Sequence, residues 1–295
     1  MSTASSRTLA VLGSPIAHSK SPVLHAAAYE VLGLDWRYEK HDIVPATLPG
    51  FIASRDGAWR GLSLTMPLKK TVLPLVDSLD HVATLTGAAN TVLFDLAASG
   101  TRVLRGFNTD VSGIVRALNA AGKHTSRIAQ IVGGGATAAS TIAAVAELGA
   151  EHVVVSVRDT ARSAGLEPLA RAVGLTIDLR SMSAGTEASA DLVISTLPGG
   201  ADSGLRFSVE QQRSALLFDV AYDPWPSRAA TVWTAAGGEV LSGLAMLVHQ
   251  ALLQVRIFVT GDAFEPLPGE DRVLAAMLAA VNLDATGRPS AMPES

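Results

Sequence analysis

The sequence predicts an α/β protein whose second half is a doubly wound parallel sheet. Two observations carry this. Between Arg127 and Val220, short apolar runs of strand length alternate with helix-length segments, the rhythm that leads parallel strands through crossover helices. Within that stretch, Ile128–Val132 is followed by Gly133-Gly134-Gly135-Ala136-Thr137-Ala138, a glycine turn set between a strand and a helix. A chain of 295 residues with 48% hydrophobic and 17% charged side chains can bury two cores, or one large one.

Taken in order, Thr8 to Leu12 predicts a short buried strand stopped by Gly13-Ser14-Pro15. Ser21 is placed to cap a helix with Pro22 in its first turn, and Val23, Ala27 and Val31 continue one face. A second strand is predicted over Arg37 to Ile43, a short helix over Thr47 to Asp56, and a third strand over Gly61 to Thr65, cut by Pro67 with Lys69 and Lys70 just beyond. Thr84 to Gly106 predicts strands around a hairpin at Ala98-Ser99-Gly100. A helix follows over 108–122. Then come a strand at Arg127 to Val132, a helix at Ala136 to Leu148, a strand at His152 to Val157 and a helix at Ala161 to Val173. Strands at Asp191 to Thr196 and Leu216 to Val220 complete the alternation, Gly243 to Phe258 is a long helix, and 284–295 reads as a loose tail.

Bulk properties exclude several classes. A net charge of −4 argues against a nucleic-acid surface, which needs clustered Lys and Arg. The absence of cysteine rules out disulfides and thiolate metal sites and suits a reducing compartment. Seven histidines show no ligand spacing such as His-x-x-x-His, so no metal is expected. The first apolar run is too short for a signal-peptide core, and the most apolar late segment, 244–259, is broken by His249, Gln250, Gln254 and Arg256. A cytoplasmic protein with no membrane partner, monomeric or homodimeric, is the expectation.

Two segments carry candidate chemistry. In Arg105 to Gly122, apolar residues at Val111, Ile114, Val115 and Leu118 mark one helix face. Asn108, Thr109 and Asp110 offer oxygens to its first turn, so Asp110 reads either as a helix cap or as a carboxylate turned toward a cleft. The glycine segment 133–138 fits G-x-G-x-x-G/A in its required context: Gly133 for the tight turn, Gly135 for close approach of a pyrophosphate, and Ala138 for close packing of helix and strand. The helix that starts at Ala136 and Thr137 adds free N–H groups and a positive dipole end. Just past the next strand, Arg158 and Arg162 suit the 2′-phosphate of NADP, while Asp159 keeps NAD open.

Motifs in sequence extend this. GSPIAHSKSPVLH (13–25), SLTMPLK (63–69), GAANT (87–91), GFNTDVSG (106–113), the glycine loop, STLP (195–198), DVAYDPWP (219–226) and GLAMLVHQ (243–250) together resemble the shikimate dehydrogenase family over nearly the whole chain. That resemblance implies an N-terminal α/β substrate domain (1–107, joined by a C-terminal helix at about 243–283) and an NAD(P)-binding Rossmann domain (108–242). It implies NADPH-dependent, reversible reduction of 3-dehydroshikimate to shikimate, in chorismate and aromatic amino acid biosynthesis. Lys69 and Asp110 would be the catalytic pair. Ser19, Ser21, Thr65, Asn90, Asp110 and Gln250 would hold the substrate, with Tyr222 where substrate and nicotinamide meet. Gly133, Gly134, Gly135, Ala136, Thr137, Arg158, Thr196 and Gly243 would hold the cofactor.

Departures from the family pattern are Ser63 and Ala26 where Asn is usual, Val157-Arg158-Asp159 where Asn-Arg-Thr is usual, and Val259 in place of an aromatic residue. Ser63 and Asp159 leave open a quinate/shikimate dehydrogenase or a paralogue using NAD. A non-catalytic dinucleotide-binding protein would have no need of both Lys69 and Asp110.

Overall fold

The computed structural model describes residues 6–290. In chain order the first elements are β1 (Arg7–Gly13), α1 (Ser21–Leu32), β2 (Trp36–Asp42), α2 (Leu48–Ala53), β3 (Trp59–Leu64), α3 (Leu68–Thr71), β4 (Ser78–Leu79), α4 (His81–Thr86), β5 (Thr91–Leu96) and β6 (Arg102–Phe107). They are followed by α5 (Asp110–Ala120), β7 (Ile128–Val132), α6 (Ala136–Glu147), β8 (His152–Val157), α7 (Thr160–Ser163), α8 (Leu166–Ala172) and β9 (Thr176–Ser181). The last are β10 (Leu192–Ser195), α9 (Val209–Ser214), β11 (Leu216–Asp219), α10 (Arg228–Ala235), β12 (Val240–Ser242), α11 (Gly243–Thr260) and α12 (Glu270–Ala279). The chain divides into two compact units: one runs to Thr109 and resumes over Leu247–Leu283, the other takes Asp110–Met246 and returns from Asp284.

The first unit holds a mixed six-stranded sheet in the order β2-β1-β3-β5-β6-β4. Pairing is parallel from β2 through β1 to β3, antiparallel through β5 to β6, and parallel again at β4. Side chains alternate across a strand. On one face Ala10 and Leu12, Leu62 and Leu64, and Val92 and Phe94 therefore join Leu48, Ile52 and Leu68 in a buried core. On the other face Gly61 lies against Phe258 of α11, so closely that a Cβ there would overlap the phenyl ring.

In the second unit all six strands are parallel in the order β12-β11-β10-β7-β8-β9. The order reverses between β7 and β10, the switch point beside which doubly wound sheets bind ligands. Val153 to Val155, Val193 and Ile194 are buried at 0–1% exposure, as expected of strands covered on both faces.

Several elements differ from expectation. Ser21 is the first helical residue of α1 rather than its cap, and the helix stops at left-handed Gly33. Its buried face is Ser21, Leu24, His25, Ala28 and Tyr29, while Val23 and Val31 are 43% and 37% exposed. An Ala-rich helix lets two adjacent stripes compete, and the aromatic side chains decide. Thr84 to Thr86 is helical, because Asp80 caps α4 by accepting from the Ala83 N–H at 2.6 Å. Gly165 divides the expected 161–173 helix into α7 and α8. The helix expected over about 243–283 is two, α11 and α12, divided by a segment containing Gly261, Pro266 and Pro268. Of the expected loose tail, 284–290 is a turn in which the Asp284 carboxylate accepts from Thr286 and Arg288 N–H groups, and 291–295 lies outside the described residues. By length and composition α11 could cross a membrane, but 78% of it is buried inside the protein.

Candidate active site

In the first unit, polar candidates gather around Asn90. Its N–H donates to the Phe107 carbonyl at 2.9 Å and its carbonyl accepts from Leu64 N–H at 2.7 Å, so its backbone bridges β6 and β3. The side chain is 2% exposed. Asn90 Nδ2 donates to Thr109 Oγ1 at 2.8 Å and to Gln250 Oε1 at 3.2 Å, while Asn90 Oδ1 accepts from the Thr109 N–H at 3.0 Å. Asn90 and Gln250, both proposed substrate residues, are thus held together, and Thr109 immediately precedes Asp110.

Lys69 is half-buried on the single-turn α3. Its carbonyl accepts from Ala89 N–H at 2.8 Å, which ties the lysine backbone to the segment presenting Asn90. Thr65, also half-buried, starts this turn by accepting from Leu68 N–H at 2.8 Å. Asp110 opens α5 and is 3% exposed. It lies inside the first helical turn, where the dipole favours a carboxylate. Ser19 Oγ accepts from Ser21 N–H at 3.3 Å, and Ser21 is 5% exposed.

Sequence reasoning missed the cluster behind these residues. Tyr38 Oη donates to Ser63 Oγ at 2.6 Å, and Ser63 Oγ donates to Gln254 Oε1 at 2.8 Å. His25 stacks on Tyr38 with ring centroids 3.9 Å apart, and meets Gln254 Oε1 through Nε2 at 3.3 Å and Tyr29 Oη through Nδ1 at 3.1 Å. Burial pushes the His25 imidazolium down to about 3, against the Gln254 hydrogen bond that favours it, so the ring is neutral at physiological pH. Burial likewise raises the Tyr29 and Tyr38 phenols. The available signal was the spacing of Gln250 and Gln254, one helical turn apart in a mostly apolar run.

In the second unit the glycine loop leaves β7. Gly133 has φ +117°, and a Cβ on it would overlap Thr196 Oγ1, while one on Gly134 would overlap Ser163 Oγ. A Cβ on Gly135 would meet nothing within 4 Å, and α6 begins at Ala136 and Thr137 without a side-chain cap. The Gly133 N–H donates to the Ser156 carbonyl at 2.9 Å, so the backbone cradle that fits a pyrophosphate runs from Gly134 into the first turn of α6. Thr196 closes it by donating from N and Oγ1 to the Val132 carbonyl, at 2.8 and 3.1 Å. Arg158 is exposed directly after β8. Asp159 accepts from Arg162 N–H at 3.2 Å and caps α7, which commits the competing acid to its own helix. Half-buried Tyr222 follows β11, and Gly243 starts α11 so near the Val220 carbonyl that a Cβ would overlap it. Among the described residues no three His, Asp or Glu side chains group as a metal site.

Residues 11–92 match the sequence profile of the shikimate dehydrogenase substrate binding domain. The chain is 31% identical to the shikimate dehydrogenase (NADP(+)) of Geobacter metallireducens, over 93% of this chain and 98% of that protein. The chain belongs to the shikimate dehydrogenase family. Among solved structures, Mycobacterium tuberculosis shikimate dehydrogenase is similar with 35% identity and a TM-score of 0.77, covering 92% of this chain and 99% of that one. The shikimate 5-dehydrogenase of Thermus thermophilus, solved with NADP(H) and shikimate, has 32% identity and a TM-score of 0.75, covering 93% and 99%. Ser63 is 3% exposed, and its hydroxyl is engaged by Tyr38 and Gln254.

Proposed function

We propose that this protein is an NADP-dependent shikimate dehydrogenase that reversibly reduces 3-dehydroshikimate to shikimate, a step toward chorismate and the aromatic amino acids. The first unit, residues to Thr109 with Leu247–Leu283, is the substrate domain, and the second is the dinucleotide domain. The observation that carries the reading is the pair of built cradles within a chain of this family: Asn90, Thr109 and Gln250 linked by hydrogen bonds, and an open glycine loop ahead of α6. A cytoplasmic setting accords with the absence of cysteine.

Ser19, Ser21, Thr65, Asn90, Asp110 and Gln250 hold the carboxylate and hydroxyls of the substrate, and Tyr222 borders the reacting carbon. Gly134, Gly135, Ala136 and Thr137 bind the pyrophosphate through backbone N–H groups, and Gly133 makes the tight turn that presents them while its own N–H stays on the Ser156 carbonyl. Arg158 meets the 2′-phosphate, and Thr196 and Gly243 shape the nicotinamide end. The bound cofactor supplies the hydride in one direction and accepts it in the other. The Lys69 ammonium gives its proton to the carbonyl oxygen as that carbon is reduced, and Lys69 takes the hydroxyl proton back in the reverse direction. Asp110 binds a substrate hydroxyl and fixes the ring.

Steady-state kinetics with shikimate and quinate, each with NADP and NAD, test the reading. Shikimate with NADP is expected to give the highest kcat/KM; a maximum for quinate with NAD would assign the chain to the quinate-using branch instead. Arg158→Ala is expected to weaken NADP more than NAD, since only NADP carries the 2′-phosphate.

A further inference from the structure

We infer that Gln254 is a positioning residue for this reaction, joining the Tyr38–Ser63 pair to Asn90 through one continuous buried hydrogen-bond chain. The inference rests on the reading of the first unit as the substrate domain. Gln254 is 2% exposed, Ser63 3% and Thr91 0%, and their side chains are joined by hydrogen bonds to one another and to Asn90.

The polarity of the chain follows from its one fixed point. Gln254 Nε2 lies 3.1 Å from the Asn90 carbonyl oxygen, which only accepts, so the amide nitrogen must face that way. Gln254 Oε1 then faces Ser63 and His25 and accepts from both. Ser63 directs its hydrogen to Gln254 Oε1 at 2.8 Å, so its lone pair receives the Tyr38 hydroxyl at 2.6 Å. His25, being neutral, carries its hydrogen on Nε2 toward Gln254 and accepts from Tyr29 at Nδ1. On the far side Gln254 Nε2 also donates to Thr91 Oγ1 at 3.0 Å, and Thr91 donates to Asn90 Oδ1 at 2.9 Å. Asn90 must therefore present Nδ2 to Thr109 and Gln250, and Thr109 in turn donates to Gln250 Oε1 at 3.3 Å.

Every donor in the chain has an assigned acceptor, and reversing any one amide would set two acceptors or two donors face to face. Buried networks of this kind hold a single arrangement. The residue at 63 also acquires a role. Its short side chain sits between Tyr38 and Gln254 and links the two. Gln254 thereby orients Asn90 and Gln250 without touching substrate.

Gln254→Met removes both amide functions at similar length, and Thr91→Val removes one hydroxyl with little change of shape. In each variant the side-chain amide signals of Asn90 in the 15N–1H spectrum of the ligand-free protein are expected to shift. The kcat/KM for shikimate is expected to fall about 10- to 100-fold, the scale on which displaced positioning groups act, with KM for NADP unchanged. Thr91→Ser, which keeps the hydroxyl, is expected to restore both readouts. Unmoved Asn90 signals and unmoved shikimate kinetics, with only a lowered melting temperature, would overturn the inference. Should Gln254→Met not fold, the Thr91→Val and Thr91→Ser pair decides it alone. A wild-type protein inactive on shikimate would overturn the proposed function, and the Asn90 spectrum would still decide the hydrogen-bond chain.

Discussion

At His25 the fold holds a titratable ring neutral. Enclosed by Tyr29, Tyr38, Phe258 and Gln254, its pKa falls from 6.5 to about 3. Between those values the unfolded chain binds a proton that the folded protein refuses, so the stability linked to His25 is complete above pH 6.5 and is lost as pH falls toward 3. The whole effect is on the order of 5 kcal/mol. Half-buried Asp80 and buried Asp219, whose carboxyls are raised by desolvation, tilt the same range the other way. A comparison with His25→Gln isolates the histidine: the stability difference between wild type and variant, measured by urea unfolding, should widen steadily from about pH 4 to 6.5. A constant difference would mean that the ring titrates normally. Lys69 makes a separate kinetic prediction. Lys69→Ala should lower kcat by about 10²- to 10⁴-fold, the range of general acid–base contributions, while a fluorescence titration finds NADPH affinity unchanged. Undiminished turnover would remove Lys69 from the mechanism.

Among elements, α11 and α12 illustrate how a buried ion pair can set geometry. Arg256, in α11, reaches Glu270 at the start of α12 with Nε at 2.6 Å from Oε2, and a second guanidinium nitrogen meets Oε1; the two side chains are 9% and 17% exposed. Arg256 also donates to the Ala263 carbonyl at 3.0 Å, so it organises the intervening loop. Arg256→Met should cost about 3 kcal/mol in chemical denaturation, because removing one partner of a buried pair leaves the other charge desolvated. Sequence patterning marked Arg256 only as an interruption of an apolar run; its partner, fourteen residues on, could not be read without the loop's path. The glycine loop was the opposite case. Its strand–turn–helix context was fully legible, and the structure adds why Gly134 cannot carry a side chain: Ser163 and Val157 already occupy that space. Gly134→Ala should therefore displace the cradle and weaken NADPH binding tenfold or more, while overpacking costs about 1–3 kcal/mol. Full NADPH affinity in this variant would show that the loop can shift without loss.

Over the whole molecule, legibility followed sheet type. Buried parallel strands read as continuous apolar runs, so β7, β8, β10 and β11 stood out, whereas β9 and three-residue β12 carry too little apolar sequence to announce themselves. The first unit's mixed sheet was harder, since the two-residue β4 and the single-turn α3 are defined by their partners rather than their own pattern. Its polar chain was hidden because Tyr38, Ser63, Thr91 and Gln254 lie far apart in sequence and only the fold brings them together. The proposed division of labour between the units predicts a separable response to ligands. A ligand that binds only the native state protects the backbone amides of the segment it holds. In hydrogen exchange, NADP should slow residues 132–138 and the segments after β8 and β10. Shikimate should slow 19–21, 63–69, 88–91 and the first turns of α11 from Leu247 onward. The two sets share no strand, so a protection map can distinguish them cleanly. If NADP instead protected the Asn90 segment and left the glycine loop exchanging at its free rate, the assignment of cofactor and substrate to the two units would have to be reversed.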